Sequence, residues 1–88
     1  MRENITQKEY DEIEELINKA VSARTKADAQ MYVDRLDSLV ADLYGSANLI
    51  MSQLRSAAKS ATGMVANKES KVYFCEMELS KLHKYIDR

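Results

Sequence analysis

The sequence has no proline and no tryptophan, and its only glycines are Gly45 and Gly63. Proline and glycine are the strongest helix breakers, so 88 residues almost without them are expected to be helical nearly throughout. The single cysteine, Cys75, excludes an internal disulfide and points to a reducing compartment. The single histidine, His83, finds no metal-site companion. A helical Glu-x-x-His pair needs a carboxylate at position 80, which is Ser80. No metal and no cofactor is therefore expected. A net charge of −1 gives no overall pull toward nucleic acid or anionic lipid. No apolar run approaches the length of a membrane span, and no charged-then-apolar leader opens the chain. The expectation is a cytoplasmic protein with neither a membrane nor a nucleic-acid partner.

What is present favours an ordered helical domain. Hydrophobic residues make up 45 % of the chain, enough to argue against intrinsic disorder. Thr6 followed by Glu9 forms a capping box, in which hydroxyl and carboxylate satisfy exposed backbone N–H groups at a helix start. Tyr10, Ile13, Ile17, Ala20 and Val21 then recur at helical spacing, predicting a helix over about 7–24. Leu36, Leu39, Val40 and Leu43 centre on a different direction, so a break or kink near Thr25 starts a second helix over about 26–44. Tyr44-Gly45-Ser46 is the strongest turn signal, with Gly45 ending one helix and Ser46 capping the next. Beyond it, Ala47, Ile50, Leu54, Ala57, Ala58, Ala61, Met64, Val65, Val72, Cys75, Leu79, Leu82 and Ile86 share one helical direction, which predicts a single long helix over about 46–86. Its weak points are Gly63 and the polar run Asn67 to Ser70.

These pieces predict an all-α single domain over residues 1–88, built as a long antiparallel helical hairpin with a broken first half. Folding back at Gly45 places residue i near residue 90 − i, so Leu36 approaches Leu54 and Tyr10 approaches Leu79. Small residues then meet small residues. Ala27 and Ala29 lie opposite Gly63 and Ala61, and with Ala57 and Ala58 they make a packing seam where two helix backbones come close. Leu16, Met31, Tyr32, Leu49, Phe74, Met77 and Tyr85 fall off the main apolar stripes. Covering them calls for a three-helix arrangement or an oligomeric bundle, so a homo-oligomer is the expected state.

Charge divides the chain. Residues 1–44 carry ten Asp/Glu against six Lys/Arg, and the second half is basic. An acidic half suits a basic half of the same chain or of another. The candidate ligand site gathers Arg24, Lys26, Lys68 and Lys71 with Tyr10 and Tyr73 as aromatic surfaces, a set suited to a small anion such as a nucleotide. Ile13-Glu14, Ile17, Val21, Arg24 and Arg35 resemble the first helix of the small helical chorismate mutases, which bind a dicarboxylate with Arg and Lys on long helices. The second-helix Arg-Glu pattern and the late Gln of those enzymes have no counterpart here. No catalytic constellation stands out, and the chain is expected not to be an enzyme. The sequence favours a helical homo-oligomer that contacts a protein partner, with anion binding as the alternative.

Overall fold

Each half of the chain folds into its own helical pair, and the two pairs pack into an all-α bundle. A computed structural model describes residues 2–61 and 68–87. Helix α1 runs Gln7–Ser22, α2 Lys26–Leu39, α3 Ser46–Ser60 and α4 Lys68–Leu82, followed by a short 3-10 turn, His83–Tyr85. Helix α1 starts as its sequence dictates. The Thr6 hydroxyl accepts from the Glu9 N–H at 3.0 Å, and a Glu9 carboxylate oxygen accepts from the Thr6 N–H at 2.9 Å. Ala23 leaves the helix, and Thr25 caps α2 by accepting from the Asp28 N–H at 3.2 Å. The first half is thus broken, not kinked.

Three expectations are corrected. The segment over 46–86 is two helices, not one. Helix α3 closes at Ala61, α4 begins at Lys68, and the two pack on each other, with Lys71 Nζ donating to the Ser60 carbonyl at 3.2 Å. A single helix over that span would be roughly 60 Å long, whereas the longest dimension of the protein is 37 Å. The physical reason is burial: folding back encloses Leu54, Ala58 and Ala61 with Cys75, Leu79 and Leu82, whereas a straight rod leaves one side of each bare. Ser70, the end of that polar run, lies inside α4. The second correction is that α2 stops at Leu39, and Val40 and Leu43 are buried from the connecting turn. Third, Gly45 itself is the N-cap of α3, with φ 79 and ψ −151, a conformation open to glycine but strained for other residues. Ser46 is the first helical residue and forms no cap.

The core runs through all four helices: Ile13 and Ile17 of α1, Val33 and Leu36 of α2, Met51 and Leu54 of α3, Leu79 and Leu82 of α4. The radius of gyration is 12.3 Å, close to the roughly 12 Å of a single globule this size. Of the packing seam, Ala29, Ala58 and Ala61 are buried, Ala57 is half-buried, and Ala27 is exposed on α2. Gly63 lies outside the described residues. Among the described residues there is no sheet, only two isolated parallel bridges, Arg2 to Leu43 and Ile5 to Ile86.

Those bridges belong to an extended strap that crosses the base of the bundle before α1. Ile5 is fully buried, its N–H donating to the Tyr85 carbonyl at 2.9 Å and its carbonyl accepting from Asp87 N–H at 2.7 Å. Arg2 holds the strap to the α2–α3 turn. Its Nε donates to Asp42 Oδ1 at 2.9 Å, and its guanidinium tip forms a bidentate pair with Glu9. The hydrogen bonds from Arg2 hold both the Glu9 and Asp42 carboxyls below the usual carboxylate range. Carboxyls with a depressed native pKa stabilise the fold above their unfolded values, and that contribution disappears as pH falls through the native ones. Stability is therefore expected to hold from neutral pH to about pH 4 and to fall below it. Arg2→Gln should lower the urea midpoint at neutral pH and narrow its gap to wild type on acidification. Urea titrations at pH 7 and below pH 3 measure this, and a gap of constant size would dismiss the clasp.

Candidate functional site

The helical wheel explains why the outer side of the α1–α2 pair is open. In α2, Ala29, Val33 and Leu36 face the core, and Met31 stands about 160° from Val33 at 100° per residue. Met31 is 44 % exposed as a result. On the wheel Ala27, Gln30 and Asp34 flank it on one side and Arg35 on the other, all of them lining the groove without closing over it. On α1, Leu16 sits beside the core residue Ile17 and is half-buried, at the shoulder of the same crevice. The two helices enclose a groove of about 850 Å³. Leu16, Met31, Leu39 and Ala27 supply its apolar surface; Glu12, Glu15, Lys19, Gln30, Asp34, Arg35 and Ser38 supply the polar part.

The rim carries more negative than positive charge. Glu15 pairs with Lys19 at 3.1 Å, so these two largely cancel. Asp34 accepts from Gln30 Nε2 at 2.7 Å, and Arg35 leans over the Tyr32 ring, 6.0 Å from its centroid. The Glu12 carboxylate has no hydrogen-bond or ion-pair partner among the described residues. A shallower depression on α1, lined by Asp11, Glu14, Glu15, Asn18, Lys19 and Ser22, extends the acidic surface. Across α1 as a whole, five acidic residues face two lysines.

The residues assigned to an anion site divide between the two ends of the bundle. Arg24 lies in the α1–α2 turn, Lys26 and Lys68 are the first residues of α2 and α4, and all three sit at the end remote from the strap. Among the described residues, no side-chain hydrogen bond or ion pair links Arg24 or Lys26 to another residue. Lys71 lines a second groove of about 440 Å³ with Phe74 and the α3 residues Ser52, Gln53, Ser56, Ala57 and Ser60. Tyr73 projects from the back of α4, 66 % exposed. Tyr10 is at the opposite end, so it cannot join the basic residues. Its hydroxyl donates to the Leu79 carbonyl at 3.3 Å, and its ring meets His83 edge-on at 5.4 Å. Burial, then the nearby Glu14 and Asp11, push the Tyr10 phenol upward.

Arg55 binds Asp37 across the α2–α3 interface at 2.6 Å. Cys75 is buried, and burial followed by Glu76 and Glu78 pushes its thiol up to about 11, which keeps it a protonated core residue at neutral pH. Among the described residues no three His, Cys, Asp or Glu side chains gather into a metal-binding group. No helix among them is long and apolar enough to cross a membrane. The groove residues Leu16 and Met31 carried a signal in the sequence, as apolar positions off the main stripes. The carboxylates around them did not, because the sequence does not show which helix faces outward. The chain matches no protein-family model, no curated protein and no solved structure.

Proposed function

We propose that this chain is a non-enzymatic, cytoplasmic protein-binding module whose α1–α2 outer groove receives a protein partner. The observation that carries this reading is Met31, exposed beside the half-buried Leu16 and Leu39 and between carboxylates, on a bundle that already encloses its own core. An apolar surface that its own fold has no need to leave open marks an interaction site. The surplus apolar faces that called for a second copy are partly covered within one chain: Leu16, Tyr32, Phe74 and Tyr85 are half-buried. A two-fold dimer through this groove would also set the acidic rim against itself. Homo-oligomerisation therefore has less support than a different partner. The anion reading rests on Lys71 beside Phe74 in the second groove. That lysine is engaged by the Ser60 carbonyl, and among the described residues no second cation lines the groove.

A photo-crosslinking residue at Ser38, in the groove, and another at Ser56, in the α3–α4 groove, tests the proposal in the source cells. A captured protein is expected at Ser38 and not at Ser56. Once purified, it should bind the wild-type chain and lose at least about tenfold in affinity to Met31→Glu. No capture at Ser38, or an affinity indifferent to Met31→Glu, refutes the groove reading.

A further inference from the structure

We infer that the partner segment is an amphipathic α-helix bearing Lys or Arg beside its apolar stripe. This rests on the groove reading above and adds the chemistry of what fills it. Both walls of the groove are helices, whose backbone N–H and C=O groups are spent within the helices themselves. An extended peptide laid there would find no ladder of backbone partners and would leave its own polar groups against Leu16, Met31 and Leu39. A helix satisfies its own backbone and needs only side-chain contacts. The length agrees. On α2 the lining runs from Ala27 to Leu39, roughly 18 Å at 1.5 Å per residue, or about three helical turns.

Charge selects the sign of the partner. With Glu15 and Lys19 paired, Glu12 and Asp34 remain as rim carboxylates, and the Asp11–Glu14 surface lies alongside. Arg35 is the opposing cation, and it lies over Tyr32. Cationic side chains flanking an apolar stripe can reach these carboxylates from both sides. Acidic ones meet repulsion, and an uncharged helix gains nothing from the rim. Because the rim is exposed, the preference should weaken as salt shortens the screening length to about 8 Å or less.

Two designed peptides of about four turns test this by fluorescence anisotropy. Both carry the same leucines at i, i+3, i+4 and i+7, flanked by lysines in one and by glutamates in the other. The lysine peptide is expected to bind at least about tenfold more tightly. Met31→Glu should weaken it, and the double reversal Glu12→Lys, Asp34→Lys should invert the order of the two peptides. Circular dichroism on each variant ensures that an altered preference reports the groove and not unfolding. Equal binding of both peptides, or lysine-peptide binding untouched by either variant, overturns the inference. Mapping the Ser38 crosslink separates the two levels. A captured segment that is acidic, extended or a second copy of this chain ends the inference and leaves the groove standing, whereas no capture ends both.

Discussion

Ile5→Ala is expected to lower the unfolding free energy by about 2–5 kcal/mol, as large-to-small changes at fully buried sites do. For a domain of this length the whole stability is of order 4–13 kcal/mol, so one residue outside every helix accounts for a large share. The reason is its position. Ile5 precedes the Thr6 cap, the place from which an apolar side chain pins the entry of the helix against a residue in its second turn, here Tyr10. It also carries the two backbone hydrogen bonds that join the strap to residues 85 and 87. Truncation opens a cavity at the base and loosens the path by which the chain enters α1. Urea unfolding followed by circular dichroism gives the midpoint and slope. A loss below about 1 kcal/mol with unchanged slope would show that the strap only rests on the bundle.

Ala58→Leu should be the other severe change. Ala58 is fully buried in α3, where the bundle leaves no room for three more carbons. Overpacking typically costs about 1–3 kcal/mol, and more when the backbone must move. Ala27→Leu is the informative contrast: the sequence puts both alanines on one seam, yet Ala27 is exposed and its change should stay within about 0.5 kcal/mol. Thermal unfolding of both variants distinguishes a buried seam from a surface run of small residues. Equal losses would mean that Ala27 is enclosed in solution.

Much of the fold was legible because it is written locally. The Thr6–Glu9 box and the Thr25 cap each depend on residues within a few positions and stand where their chemistry put them; the turn at Gly45 also forms, but Gly45 takes the cap position expected of Ser46. The described members of the stripe from Ala47 to Ile86 are also all buried or half-buried. What periodicity cannot detect is a reversal between two helices whose apolar faces happen to share a phase, which is how α3 and α4 read as one helix. Met51, fully buried, sat just outside that stripe and was missed for the same reason. The Arg2 clasp was invisible because Arg2 and Asp42 are forty positions apart. The candidate groove was half legible. Leu16 and Met31 announced unpartnered apolar surface, but the side they occupy follows from packing, which only the assembled bundle decides.

The closure of the base also has a consequence in time. Helix pairs α1–α2 and α3–α4 each join segments close in sequence and can form as soon as both are available. The bridge from Ile5 to Ile86 cannot. During synthesis at about 5–20 residues per second, Ile5 waits roughly 4–16 s for its partners around Tyr85 to be made. For that interval the residue that secures the helix start is an exposed apolar side chain on a nascent acidic hairpin. The finished bundle hides its first isoleucine only when nearly its last residues arrive.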